Sequence, residues 1–480
     1  MVKSFYSRLT SSERYASTLL FCAIAGIYAV ALLAVLAVCL VYGRDPISTI
    51  VIPPKNPTFH AVLAQNLLIY KAFTDTSPPP FIPMVVVTPG YPFFLAGLLF
   101  LARTPFAVPL VQIVLVGLTG VLIFKLGARL FSRGIGLVAA LLYVLDPAVV
   151  LSSFQFMTET LFMFLFVLFL LLFSTNVMQS TKAWSLFILG VVLGAVILVR
   201  PIAQYLAPLA IVGLFLANKV EWKKASLYSS LAGFTLGVVL MVGPWMVRNL
   251  LVGGGFQLSF AGPYTLYHYG VSQFRALKEG VPFEVMKQRS FEEIAGGRPL
   301  RGVPAMELRR RYETLSAKEI RKDPAGYLRF HLVKTLPFFT SSSWKVPLIY
   351  YRSYLLEDPL RPVNYTDLLL QGGWKPVFLA IVQRPTEWLF AVERLGRPLL
   401  LLLSLVPLWF ERERRRILVM FLFGLVMYFA IATGPVSNPR YRLPAEPPLF
   451  LLGLWGIAFL AGKWRNRRRG WSGRHIVGGE

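Results

Sequence analysis

Apolar residues in this chain of 480 arrive in blocks of about 15 to 25, and that grouping leaves few folds open. A block of about 20 crosses a bilayer as a helix, because every backbone N–H and C=O is then bonded inside the segment. The alternation of a β-barrel strand is not seen. Hydrophobic residues make up 56% of the chain and charged ones 15%, so the expected fold class is an all-α polytopic membrane protein. The net charge of +26 raises the question of nucleic acid. Lys and Arg cluster at the ends of apolar blocks, however, as they do in cytoplasmic loops that orient membrane helices, so no nucleic-acid partner is expected. Cys22 and Cys39 fall in one expected helix, roughly 25 Å apart, and cannot bridge each other. No C-x-x-C or His/Cys metal spacing occurs.

Lys3, Arg8 and Arg14 place the N-terminus in the cytoplasm, so a first helix over 16–42 points outward and serves as an anchor. A first external loop, 43–106, follows. It is interrupted by prolines and holds two short apolar pieces, Phe59–Tyr70 and Pro92–Ala102. The second is only about a dozen residues, short of a span. If it crossed, Arg129 and Arg133 would lie outside, against the charge rule, so it is read as interfacial or re-entrant. Further spans are expected at 107–128, 134–150, 157–174, 184–199, 203–218, 226–246, 388–410, 417–433 and 445–461. Lys182, the run Lys219 to Lys224 and Arg412 to Arg416 mark inner loops. The total is about ten spans, within a range of about eight to twelve. Three parts result: a transmembrane module over 1–250, a large external loop over 251–387 with interfacial segments at 327–351 and 376–382, and C-terminal helices with a basic cytoplasmic tail over 388–480.

Charges are costly in a bilayer, so ionisable groups at outer helix ends are the informative ones. On this topology the outer face gathers Asp45, His60, Asp75, Glu159, Arg200, Arg248, Arg440, Arg442 and Glu446. The planar fork of arginine holds phosphate oxygens through paired N–H groups, which suits a lipid phosphate at the lipid–water boundary. A nearby carboxylate can take a proton from an acceptor hydroxyl or amine. Each of these residues also has an ordinary role open to it. The arginines can snorkel or meet headgroups, Glu159 can favour a helix N-terminus, and Asp45, Asp75 and His60 can be solvated groups. Asp146-Pro147 reads first as a helix terminator, and Pro89-Gly90-Tyr91-Pro92 as turn chemistry.

Thr88-Pro89-Gly90-Tyr91-Pro92-Phe93-Phe94-Leu95-Ala96 resembles the PPGYPLFLA segment of bacterial membrane glycosyltransferases related to the protein O-mannosyltransferases and the lipid A aminoarabinose transferase. Ala64-Gln65-Asn66-Leu67 is similar to the LA-x-NL that precedes it in them. Ala128–Arg133, Thr158–Phe162, Leu198-Val199-Arg200-Pro201, Pro244-Trp245 and Arg440-Tyr441-Arg442-Leu443-Pro444 follow in the family's order. The match covers about residues 40–250 well and then the Arg440 region. One departure stands out. The family usually has an acidic residue eight positions before the Ala of LA-x-NL, and here that position is Asn56, which cannot act as a general base.

The resemblance implies a GT-C glycosyltransferase fold and transfer of a sugar from a polyprenyl-phosphate carrier to a glycan, lipid or protein acceptor, with inversion at the anomeric centre. It implies an aspartate of the first external loop as base and no bound metal, although a divalent ion is not excluded; no cofactor is expected. With Asn56 at the usual acidic position, Glu159, Asp45 and Asp75 are the candidate catalytic carboxylates. Asn56, His60, Tyr91, Arg200, Arg248, Arg440, Tyr441 and Arg442 are the candidate substrate-binding residues. The expected location is the plasma (inner) membrane, with both termini cytoplasmic and the site external. A flippase of lipid-linked sugars and a non-catalytic binder of the carrier lipid are the rival readings.

Overall fold

The computed structural model describes residues 2–41, 43, 45, 59–76, 80–178, 183–217, 225–297, 303–346, 365–383, 390–411 and 413–472. Asn56 and the loop markers Lys182, Lys219 to Lys224 and Arg412 lie outside them. The described residues form helices and no strand. In order they are α1 (Val2–Val41), α2 (Phe59–Tyr70), α3 (Gly90–Ala102), α4 (Ala107–Leu130), α5 (Arg133–Val144), α6 (Pro147–Phe154), α7 (Glu159–Met178), α8 (Ala183–Val199), α9 (Leu206–Ala217) and α10 (Ala225–Leu251). The segment after α10 then supplies α11 (Ala261–Thr265), a π-helical turn (Leu266–Val271), α12 (Ser272–Glu279), α13 (Phe283–Ala295), α14 (Ala305–Lys322) and α15 (Pro324–Thr340). The chain ends with α16 (Tyr365–Gly372), α17 (Trp374–Val382), α18 (Ala391–Leu403), α19 (Val406–Phe410), α20 (Glu413–Thr433), α21 (Pro439–Arg442) and α22 (Glu446–Ser472).

Among the described residues, six helices are long and apolar enough to cross a membrane: Ser12–Val41, Ala107–Leu130, Glu159–Met178, Leu227–Leu251, Arg414–Val436 and Pro439–Trp464. A seventh span forms if α5 and α6, bent by 57° at their junction, count as one broken helix. The break falls at Asp146-Pro147: Asp146 caps α6 by accepting from the Ala148 N–H at 2.8 Å, and Pro147 fills the first turn. The terminator read from the sequence is there, and the chain resumes directly as α6. α8, at 17 residues, reaches only about 25 Å and sits at the short limit of a span. The stretch 388–410 differs from the single span expected. Over the described residues it is two helices, α18 and α19, parted at Ser404–Leu405, where Pro407 opens the second; Glu393, Arg394 and Arg397 charge the first, and Pro398 is accommodated within it.

Close backbone approach holds the helix pairs, since apolar burial gives little net gain between helices in lipid. At Gly190 of α8 an added Cβ would lie 2.0 Å from the Phe234 carbonyl oxygen of α10, and at Gly237 of α10 it would lie 2.4 Å from the Phe187 carbonyl oxygen. α7 is apolar all round because helices enclose it. Its Phe166 and Phe173 meet Phe429 and Phe421 of α20, with ring centroids 5.6 and 4.2 Å apart. That seam sets the start of α7 beside the chain leaving α20, where α21 begins.

The segment between α10 and α16 has a core of its own, built on Phe260, Tyr267, Phe274, Ile294, Tyr312 and Phe330, and Val85 of the first loop enters it. α15 leaves Leu328, Leu332 and Leu336 exposed at every fourth position, and α17 leaves Trp374 and Phe378. His268 is fully buried in this segment, its ring stacked on Phe291 at 4.0 Å, with no hydrogen-bond partner on either ring nitrogen. Burial, reinforced by the Lys287 charge, pushes its pKa down to about 4. Between that value and the ordinary one of about 6.5 the unfolded chain binds the extra proton. The neutral ring's contribution is therefore complete above about pH 6.5 and is lost as pH falls towards 4, up to about 3 kcal/mol. Hydrogen exchange of residues 260–340 is expected to speed up over that window in the wild type and far less in His268→Phe.

Candidate active site

Two motif stretches distant in sequence meet backbone to backbone. A Cβ on Gly90 would lie 2.6 Å from the Leu198 carbonyl oxygen, so only glycine lets the Pro89–Pro92 segment rest on Leu198-Val199-Arg200. Thr88 Oγ1 donates to the Val199 carbonyl at 3.4 Å. Tyr91, fully buried, then donates to Gln112 Oε1 at 3.0 Å. Gln112 in turn donates through Nε2 to the carbonyls of Ser153 and Gln155, at 2.9 and 2.7 Å. This relay fixes the short loop between α6 and α7 and sets Glu159 at the first position of α7. Asn66 closes the loop after α2 in a similar way, donating to the carbonyls of Thr74 and Thr76 at 2.8 and 3.2 Å.

Glu159, only 1% exposed, is the centre of the cluster. Arg440 hydrogen-bonds Glu159 Oε1 through Nε and reaches Oε2 through Nη2 at 3.4 Å. Arg200 Nη1 lies 3.6 Å from Oε1, and its guanidinium sits 5.5 Å from the ring centroids of both Phe162 and Tyr441. Thr158 Oγ1 adds a contact to Oε2 at 3.3 Å. The carboxylate is thus shared by two guanidiniums, of which Arg440 stays 41% exposed. His60 of α2 packs edge-on against Tyr91 at 5.4 Å. Burial holds its imidazole neutral down to about pH 4; Glu159 pulls against that shift, and Arg440 and Arg200 add to it. His60 Nδ1 and the side-chain amide of Gln155 are buried without hydrogen-bond partners.

Of the residues expected at the site, the structure therefore brings together Glu159, His60, Tyr91, Arg200, Arg440 and Tyr441. Arg248 is engaged elsewhere. It donates to the Met84 carbonyl at 2.6 Å and the Phe73 carbonyl at 3.4 Å, and stacks on Trp245 at 4.8 Å, pinning the stretch between α2 and α3 to α10. Arg442, fully buried, also turns away: it bonds Glu446 Oε1 at 2.9 Å, the carbonyls of Phe338 and Ser341 at 3.0 and 2.9 Å, and Ser343 Oγ at 2.8 Å. Asp45 and Asp75 are exposed, and Asn56 falls outside the described residues.

The sequence reading missed Gln112 and Arg397. Gln112 carries no signal except a polar side chain in an apolar helix. Arg397, a charge inside an expected span, carries a stronger one. Among the described residues no group of three His, Cys, Asp or Glu side chains is placed to hold a metal ion.

Fold and cluster together define a multi-pass helical membrane protein with two arginines gathered on one buried carboxylate at the ends of its helices. Residues 83–246 match the family model of the dolichyl-phosphate-mannose-protein mannosyltransferases, a segment that contains Tyr91, Glu159 and Arg200 but neither His60 nor Arg440. No curated protein matches the chain. Among solved structures it is similar to the archaeal oligosaccharyltransferase AglB from Archaeoglobus fulgidus, in complex with an inhibitory peptide and a dolichol-phosphate. The identity is 12% over 94% of this chain and 52% of that one, with a TM-score of 0.46. It is also similar to the apo form of the Archaeoglobus fulgidus oligosaccharyltransferase, at 13% identity over 91% and 51%, with a TM-score of 0.44. The chain spans about half the length of these structures.

Proposed function

We propose that the protein is a membrane glycosyltransferase that moves a sugar from a polyprenyl-phosphate donor to an acceptor at the external face of the membrane. The observation that carries the reading is the pair of guanidiniums gathered on one buried carboxylate, beside a neutral buried histidine. Two positive charges and one negative leave a surplus of one, the charge of a phosphodiester. As the bond from sugar to phosphate breaks, charge builds on the leaving phosphate oxygen, and fixed guanidiniums stabilise that charge more than the ground state. His60 Nδ1 and the Gln155 amide, buried without partners, are suited to bind the donor's sugar and phosphate oxygens. Glu159, shared by two arginines, holds them in place and is a poor base in that setting. Asp45 and Asp75, exposed and outside the Glu159 cluster, are the remaining candidate carboxylates to take the acceptor proton as the acceptor oxygen displaces the phosphate with inversion.

The test uses the purified full chain in nanodiscs with radiolabelled polyprenyl-phosphate mannose and a panel of glycan, lipid and peptide acceptors. Release of polyprenyl phosphate together with labelled acceptor is expected. Binding without release would favour the carrier-binding role, and no binding of polyprenyl phosphate would overturn the proposal.

A further inference from the structure

A second buried charge cluster lies behind the first, and α21 belongs to both. Arg397 of α18 is its hub. Its Nη2 lies 2.7 Å from Asp146 Oδ2 and 3.0 Å from Glu446 Oε1, its Nη1 lies 2.6 Å from Glu393 Oε1, and it reaches Ser343 Oγ at 3.4 Å. Glu446 Oε1 and Ser343 Oγ are also partners of Arg442, at 2.9 and 2.8 Å. Glu393 binds Ser342 Oγ and accepts from the Ser343 N–H at 2.6 Å. Asp146, Arg397, Arg442 and Glu446 are all under 9% exposed. The residues come from the α5–α6 break, the end of α15, α18 and α22, so the cluster joins every part of the chain.

α21 is a single turn, Pro439-Arg440-Tyr441-Arg442, capped by Asn438 Oδ1, which accepts from the N–H groups of Arg440 and Tyr441 at 2.9 and 3.3 Å. Its side chains part in two directions. Arg440 goes to Glu159 and Tyr441 to Arg200, whereas Arg442 enters the second cluster. α21 runs through a 3-10 turn, Leu443–Ala445, straight into α22, so its place is set by the start of α22 together with the partners its own side chains hold. We infer that the Asp146–Arg397–Glu446–Arg442 cluster is the positioning device for Arg440 and Tyr441, and that it makes the grip on a lipid phosphate depend on how the 338–343 segment and Glu393 are seated. The phosphate part of this inference rests on the function proposed above; the positioning part does not. Asp146, Arg397, Glu393 and Glu446 are positioning residues, acting through Arg442 and the turn that carries it.

Two measurements on the full chain in nanodiscs, with Arg397→Lys and Asp146→Asn, separate these parts. The first is hydrogen exchange of the peptide covering 434–446. The second is titration with polyprenyl monophosphate and, in parallel, with the uncharged polyprenol of equal length. Expected are faster exchange across 438–446 and a dissociation constant for the monophosphate raised about tenfold, with polyprenol binding unchanged. Faster exchange in the variants, but no monophosphate binding by the wild type, would keep the positioning device and remove the phosphate-binding role. Equal loss of both lipids would reduce the cluster to general scaffolding. Unchanged exchange in both variants would overturn the inference.

Discussion

Arg440→Met is expected to lower the rate of transfer from a polyprenyl-phosphate sugar by about 100- to 1,000-fold, the cost of removing one fixed donor from a developing anion. The loss should appear mainly in kcat, because the phosphate gains charge as the sugar departs. Arg440→Lys should recover only part of it, since an ammonium cannot bond both Glu159 oxygens through a planar fork. Glu159→Gln is the informative companion. If Glu159 holds Arg200 and Arg440 in place, the amide loosens both and KM rises along with a strong fall in kcat. If Glu159 were the base, kcat would fall alone and the acidic limb of the pH–rate profile would vanish. Steady-state kinetics across pH on the three variants decide between these outcomes, and wild-type rates in Glu159→Gln would remove that residue from the site.

The fold class was open to sequence reading because bilayer length and charge distribution are coarse constraints that every span must meet. The site was legible where a motif had a backbone reason. Gly90 sits where a Cβ would strike the Leu198 carbonyl, so Pro-Gly-Tyr-Pro and Leu-Val-Arg-Pro are two halves of one contact. The split between Arg440 and Arg442 was not legible. Two residues apart on a one-turn helix, they face opposite clusters, and only the positions of α7, α15 and α22 decide which carboxylate each meets. Arg248 shows the same limit. A guanidinium at a helix end looks equally suited to phosphate, lipid headgroup or carbonyl, and here the chain's own first loop supplies the carbonyls. The break at Ser404–Leu405 was not legible for another reason. The mean apolarity over 388–410 suggests a span, whereas Glu393 and Arg397 are paired within the protein and part of the helix serves that pairing.

Arg397→Met gives the largest expected change in stability. It leaves Asp146 without its cation in a buried setting and weakens the hold on Glu393 and Glu446. Breaking a buried pair from one side costs about 3–5 kcal/mol, because the remaining charge stays desolvated. Asp146→Asn added to Arg397→Met should recover a good part of that loss: the neutral amide removes the stranded charge, yet its oxygen still caps α6 by accepting from the Ala148 N–H. The coupling between the two substitutions is expected at about 1–3 kcal/mol, as for residues in one charged network. Denaturant unfolding of the wild type, both single variants and the double variant in the same detergent measures it. Additive losses would mean that Arg397 is held chiefly by Glu393 and Glu446, and that the α5–α6 break and the C-terminal helices are joined by packing without this ion pair.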